Sequence, residues 1–315
     1  MQVGWYRQFH RKMPSRGHGY RFLPLLCCMT SAGLAKKSNA TCDLSNKRVP
    51  SMGTAQLENT AQAYNELLVP ALFQPFAKLV ADAAGVRRGT KVLDVGCGTG
   101  VLTCELASRA HGSEEVVGLD ANPGMIAVAR RGKPSISWYL GDAAALPFAD
   151  GAFDIVTSQF ALMLFEDREK SLREMWRVLS KGGKLSVAVF DMLAQNQAYG
   201  LIAEIYEKHV GSDIANALRF PFSLGNVGEL RALFNGAGIE PIELNTVSVV
   251  VHFLSVTDLA HADVKGWFPF AGFDVSQPDI DAITNDLGRE FAATTKSDGS
   301  IEFDAFAHIL TATKN

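Results

Sequence analysis

Apolar and polar positions along the chain alternate between two periods, and the change of period marks the elements. From Thr60 to Ala84 the apolar residues Tyr64, Leu67, Leu68, Leu72, Phe73, Phe76, Leu79 and Val80 recur at helical spacing. Pro70 and Pro75 fall inside that pattern and are expected to break or kink it into shorter helices. Short continuous apolar runs follow at 91–95, 115–119, 136–140, 153–158 and 184–190, which read as buried strands. Between them, amphipathic stretches at 100–110, 123–131 and 167–179 read as helices, and Asn122-Pro123 is a good start for the second, with asparagine capping and proline in the first turn. This alternation predicts a parallel sheet covered by helices on both faces.

Beyond Phe190 the pattern loosens. Asn196 to His209 reads as an amphipathic helix within an insertion over the sheet edge, and Val227 to Gly236 as a helix stopped by Asn235-Gly236. Ile239 to Phe253 alternates in strand fashion, 255–298 reads as a second, helical insertion, and Ile301 to Thr311 as a final strand. There are no internal repeats.

Charge separates the first fifty residues from the rest. Of 30 Lys/Arg and 33 Asp/Glu, residues 1–51 hold nine basic residues and only Asp43, leaving 21 basic against 32 acidic, a net −11, from residue 52 onward. An acidic domain repels phosphate backbones, so a nucleic-acid partner is not expected. The leader has no helical period, and its one apolar stretch, Phe22 to Met29, is too short to span a bilayer, so no stable membrane insertion is expected. Three readings of it stand: an organellar transit peptide, a poor secretory signal, or a disordered tail or extension upstream of a start at Met52. The corresponding locations are cytoplasmic, or mitochondrial or plastid if the leader is a transit peptide. The cysteines (Cys27, Cys28, Cys42, Cys97, Cys104) show no C-x-x-C pair with partner histidines, so no metal site is expected.

Candidate chemistry concentrates at Val92-Leu93-Asp94-Val95-Gly96-Cys97-Gly98-Thr99-Gly100, with Asp120 ending the next apolar run. Three glycines after a buried strand allow a sharp turn and let a ligand lie against the backbone. A carboxylate at the end of the second strand suits ribose hydroxyls. The spacing is G-x-G-x-G rather than the dinucleotide G-x-G-x-x-G, and Asp94 would repel a pyrophosphate but suits an ammonium group. This resembles motif I of the class I S-adenosylmethionine (SAM)-dependent methyltransferases. Gly141-Asp142-Ala143 after a third strand, Leu146-Pro147-Phe148-Ala149-Asp150-Gly151-Ala152-Phe153-Asp154-Ile155-Val156, and Glu174-Met175-Trp176-Arg177-Val178-Leu179-Ser180-Lys181-Gly182-Gly183 resemble the type 11, small-molecule and quinone methyltransferase-like, subgroup in the right order. Ser180-Lys181 departs from that subgroup, which usually has a proline in this turn.

The resemblance implies a Rossmann-like α/β fold with a seven-stranded, mostly parallel sheet whose last strand is antiparallel, plus helical caps. It divides residues 52–315 into a core at 85–190 and cap insertions near 192–225 and 255–298. It also implies SAM as cofactor and a small, partly apolar methyl acceptor at O, S, N or C. Carried over residue by residue, Asp94, Gly96, Cys97, Gly98 and Gly100 serve the methionine part and Asp120 the ribose. Asp142 and Ala143 lie at the adenine amino group, Ala121 and Met125 flank the adenine, and Ser158 ends the fourth strand beside the cofactor. Gln159 and Phe160 are expected to face the transferred methyl, and Tyr64 to cover the cofactor. His252 is a candidate base, with His209 and His261 as others near the caps. Trp267-Phe268-Pro269-Phe270 is either an acceptor pocket or the cap's own core. A non-catalytic SAM-binding regulatory or assembly subunit, and an RNA or protein methyltransferase, are the alternative functions. Neither acceptor atom nor oligomeric state is readable.

Overall fold

A long helical run precedes the sheet. In the computed structural model, which describes residues 53–112 and 115–315 and so leaves the basic leader outside, Thr54–Ala63 (α1) is α-helical. Tyr64–Phe73 then widens into a π-helix, and Gln74–Ala84 (α2) returns to α-helix. The expected break at Pro70 is corrected. Proline lacks an N–H and clashes with the preceding turn of an α-helix, and the wider π turn absorbs it, so the helix continues unbroken over Thr54–Ala84. Pro75 sits in the first turn of α2, where its missing N–H costs little. By length and composition this is the one helix among the described residues that is long and apolar enough to cross a membrane. Its Phe76, Ala77, Val80 and Ala81 are buried in the main core.

The remaining elements follow as β1 (Val92–Val95), α3 (Val101–Ala110), β2 (Val116–Asp120), α4 (Pro123–Gly132), β3 (Ser137–Leu140), β4 (Phe153–Gln159), α5 (Arg168–Val178) and β5 (Leu179–Phe190). Then come α6 (Gln197–Val210), α7 (Ser212–Arg219), α8 (Val227–Gly236), β6 (Glu243–Phe253), α9 (Val256–Gly266), α10 (Gln277–Glu290) and β7 (Ile301–Thr313). One seven-stranded sheet results, in the order β3-β2-β1-β4-β5-β7-β6. The first five strands are mutually parallel, and β7 runs antiparallel to both β5 and β6, so only the last strand is reversed. Every residue of β1 is buried, which explains why its sequence is an apolar run rather than an alternation.

Topology locates the site. From β1 the chain steps outward through β2 to β3, then returns to place β4 on the other side of β1. The carboxyl ends of β1 and β4 therefore flank the switch point, where open sheets of this kind bind ligands. Both insertions leave from strand ends on that side, α6 and α7 after β5, and α9 and α10 between β6 and β7. They pack into one cap: α6 lies on α7 and α10, and α9 lies on α10 and the π-helical stretch. Buried His308 of β7 pins the first insertion to the sheet, with Nε2 3.0 Å from the Gly225 carbonyl and 3.1 Å from Asp191 Oδ1.

Candidate active site

The glycine loop is shaped by three positive φ angles, 71° at Gly96, 55° at Gly98 and 95° at Gly100. The N–H groups of Gly96 and Cys97 donate to the Leu119 carbonyl at 2.7 and 3.0 Å, tying the loop to the end of β2. The three glycines serve different ends. A side chain at Gly96 would meet the Ala161 methyl, and one at Gly100 the Trp138 ring, so both permit close packing. Gly98 has nothing near its missing side chain and is the glycine that faces open space, where a ligand can approach the backbone. The Cys97 side chain turns away into a small core with Ile126, Ala129, Ile136 and Trp138. Burial, with Asp120 and Asp94 nearby, pushes its thiol well up, so it stays protonated. Between the π-helical stretch and the loop lies a groove of about 370 Å³ lined by Asn65, Val69, Thr99, Gly100 and Cys104 among others.

Two carboxylates dominate the electrostatics. Asp94 is 1 % exposed and accepts from the Thr103 hydroxyl at 2.6 Å and from that of Thr157, its neighbour on β4, at 3.0 Å. Burial pushes its carboxyl up to about 6, against the pull of the two hydroxyls and with a further push from Asp120. Asp120 accepts from the Gly98 N–H and the Asn122 N–H, each at 2.8 Å. Burial raises it too, restrained by those backbone donors. Neither carboxylate has a cation beside it among the described residues. Two like charges without a counterion, one buried and one half-buried, are costly, and a cationic ligand relieves them.

The other expected residues divide into those the fold gathers and those it sends elsewhere. Burial, and then the nearby Asp120 carboxylate, raise the Tyr64 phenol. Met125 is buried with Ala61 and Val128, and Tyr64 and Phe270 pack against this cluster. Ala121 is exposed beside Asp120, and Ala143 is buried behind Asp142. Asp142 is exposed at the end of β3, one oxygen accepting from the Ala144 N–H at 2.9 Å. Ser158 is buried, its hydroxyl unpartnered. Gln159 donates to the Phe73 carbonyl at 3.1 Å, while its own oxygen has no partner.

Phe160 departs from expectation. At φ 52° its ring turns inward, stacks on Phe190 at 3.9 Å and 7°, and meets Phe76 edge-on at 5.0 Å. It is a wall of the core, and the aromatic stacking holds a backbone conformation that is unfavourable for a bulky residue. His252 is not brought to the site. Alternation on β6 buries Val251 and Phe253 and turns His252 outward, where it pairs with Glu302 at 3.2 Å on the sheet edge farthest from β3. His209 is held by Asp286 at 2.8 Å. The Trp267–Phe270 segment serves the cap's own packing: Phe268 meets Tyr206 edge-on at 5.0 Å, and the Trp267 indole donates to the Ala217 carbonyl at 3.1 Å.

Sequence reasoning missed Tyr199, Phe190 and Asp263. Leu259, Asp263 and Gly266 share one buried stripe of α9, so a carboxylate standing where a hydrophobe belongs was the readable sign. Among the described residues no group of three or more His, Cys, Asp or Glu side chains is placed to hold a metal ion.

The residues present fit SAM, which carries both a sulfonium and an ammonium charge. Asp94, the loop and Asp120 offer an unneutralised anionic pocket with an open glycine face. Residues 93–187 match the family model described as "Methyltransferase domain". The demethylmenaquinone methyltransferase of Renibacterium salmoninarum is 37% identical over 164 residues, which are 51% of this chain and 66% of that protein. That of Thermus thermophilus is 42% identical over 133 residues, covering 41% and 60%. The chain thus spans just under two thirds of the length of these two relatives. The ubiquinone/menaquinone biosynthesis C-methyltransferase UbiE of Cronobacter sakazakii is 34% identical over 199 residues, covering 56% of this chain and 77% of that protein. Among solved structures, the YcgJ protein from Bacillus subtilis superposes with a TM-score of 0.51 at 19% identity, over 76% of this chain and 97% of that one, which shows the fold.

Proposed function

The chain belongs to the SAM-dependent methyltransferases of the type 11 group, and from that premise we propose that it methylates a small, partly apolar acceptor, a hydroxylated ring of the quinol kind. The observation that carries this reading is the pair of cation-free carboxylates, buried Asp94 and half-buried Asp120, with Tyr64 near Asp120 and stacked on Phe73. When bound, SAM supplies a methyl group on positively charged sulfur, already activated for in-line displacement. The protein's work is then to bind, orient and exclude water, and proximity and orientation contribute up to about 7–11 kcal/mol in favourable cases. Asp120 holds the ribose with the oxygen positions left free by Gly98 and Asn122, and Asp94 with the loop holds the methionine end. Tyr64 and the π-helical stretch cover the site and keep water out.

The net −11 charge of residues 52–315 supports a small-molecule partner over nucleic acid. The buried packing of Thr54–Ala84 supports a helix of the domain rather than a membrane anchor. Cytoplasm is the proposed compartment, with a mitochondrion or plastid as the alternative if the basic leader is a transit peptide. The test is calorimetry with SAM and with NAD, followed by labelled methyl transfer to a panel of hydroxylated rings read by mass spectrometry. SAM binding and a methylated ring are expected. NAD binding without SAM binding would overturn the reading.

A further inference from the structure

Among the described residues seven buried side-chain nitrogen or oxygen atoms lack a hydrogen-bond partner; Thr99 Oγ1, Arg168 Nε and Ser186 Oγ lie in the glycine loop, at the start of α5 and within β5, and the other four form two groups. Ser158 Oγ and Gln159 Oε1 end β4, while Tyr199 Oη and Asp263 Oδ2 come from the cap. Such atoms are costly unless something else satisfies them.

Packing contacts join the two groups. The Tyr199 ring meets Phe222 at 5.2 Å, Phe222 meets Phe190 at 5.1 Å, and Phe190 stacks on Phe160, the neighbour of Gln159. On the other side, Asp263 lies one helical turn before Gly266 on the same stripe of α9. Gly266 abuts the backbone of Tyr64, since a side chain there would come within 3.0 Å of it. Tyr64 stacks on Phe73 at 5.1 Å, and the Phe73 carbonyl accepts from Gln159. Aromatic contacts thus run from the cap to the strand ends on one side, and through the π-helical stretch on the other, with the unpartnered oxygen atoms as their polar points. Asp263 has neither a cation nor a backbone donor beside it; the Tyr206 hydroxyl is its hydrogen-bonding neighbour, and its Oδ2 stays unpartnered.

We propose that Asp263, flanked by the hydroxyls of Tyr199 and Tyr206, is the polar end of the acceptor cavity and takes the acceptor's hydroxyl proton during methyl transfer. The inference rests on the methyltransferase reading. The acceptor's O–H bond breaks and its proton passes to the Asp263 carboxylate. The electron pair left on the acceptor forms the bond to the methyl carbon, whose former bonding pair stays with the leaving sulfur. Where the new bond is to a ring carbon, the hydrogen on that carbon returns to the ring oxygen as aromaticity is restored. Asp263 then loses its proton to solvent.

Burial holds the Asp263 carboxyl up at about 7, with the Tyr206 hydroxyl pulling it down, so it is a base poised near neutrality. Tyr199 and Tyr206 of α6 are the titratable groups facing it, and its charge raises both of them. Tyr64, on the π-helical stretch, responds to Asp120 instead, and Asp286 of α10 is engaged by Lys208, His209 and Arg289.

The test uses the full chain with Asp263→Asn, Asp263→Glu and Tyr199→Phe, naphthol as a binding probe, and labelled SAM with a ring hydroquinone for turnover. Asp263→Asn should keep the wild-type SAM affinity and a cooperative melt. It should lose about ten- to a hundredfold in naphthol affinity at a pH where the carboxylate is charged. Its kcat should fall about 10²–10⁴-fold, and the wild-type rise in kcat between about pH 6 and 8 should flatten. Asp263→Glu should restore part of the turnover, and Tyr199→Phe should raise the acceptor KM with kcat largely kept. Unchanged naphthol affinity and an unchanged pH profile in Asp263→Asn would overturn the inference and leave the methyltransferase reading standing. If Asp263→Asn does not fold, a flat wild-type profile or an unchanged KM in Tyr199→Phe overturns it. A wild-type chain that binds no SAM overturns both.

Discussion

Asp120 accepts from the Gly98 and Asn122 amides, one on each carboxylate oxygen, with Ala121 N–H as a further backbone donor, and each oxygen keeps capacity for a ribose hydroxyl. Hydrogen bonds to a charged acceptor contribute about 1.5–3 kcal/mol, so Asp120→Ala should weaken SAM binding by about ten- to a hundredfold. The contact is remote from the reacting carbon, so saturating SAM should restore most of the turnover. Asp94→Asn should lower turnover even at saturation, because Asp94 helps aim the methionine end. Paired SAM titrations in a methyl-transfer assay separate the two. Asp94 also makes a prediction about pH. Its carboxyl is held up at about 6 in the folded chain, so the unliganded domain should lose stability as pH rises from about 4 to 6 and the charge appears in a buried site. The effect is on the order of 2–3 kcal/mol. SAM affinity should move the other way, strengthening as Asp94 ionises. Melting curves and calorimetry across that range check both signs, and Asp94→Asn should lessen the slope, the remainder belonging to Asp120 and Asp263, whose carboxyls burial also raises.

At the scale of elements, the strand–loop–helix unit from β1 to α3 depends on which face each glycine presents. Gly100 holds φ 95° with its open side against Trp138, and that indole cannot retreat because its Nε1 donates to the Lys133 carbonyl at 2.9 Å. Gly100→Ala should therefore destabilise the domain by about 1–3 kcal/mol through overpacking and backbone strain. Gly98→Ala adds a methyl to open space, so it should leave the melt closer to wild type yet weaken SAM binding. Thermal melts paired with calorimetry distinguish the two roles. The π-helical stretch shows the reverse relation between residue and element. Pro70 predicts an interruption, but the helix stays whole and changes its hydrogen-bond period instead.

Across the whole molecule, the described residues form one sheet covered by its helices and cap. A chain lacking residues 1–51 should melt cooperatively at the same temperature and bind SAM equally well; loss of the transition would make the leader part of the core. Ligand binding should be visible in the same experiment. SAM at about a hundred times its dissociation constant should stabilise the domain by about 2.7 kcal/mol, and NAD should not.

The sequence by itself determined the parallel core, the glycine turn and the carboxylates that end its strands. These follow from local rules: apolar runs bury, glycine permits positive φ, and a side chain at a strand end points to the sheet's edge. It also carried the order of the motifs, and with it the reversed last strand. What only the tertiary structure decided lies where an element's partner is distant in sequence. Period locates a buried stripe on α9 but not what it is buried against, so Asp263 and Tyr199 were invisible as neighbours until α6 and α9 packed together. Phe160 turned inward because Phe190 and Phe76 were there to stack on, and His252 turned outward because β7 set the register of β6. Local geometry prescribes which way a backbone runs; which face of it meets the acceptor is settled by docking.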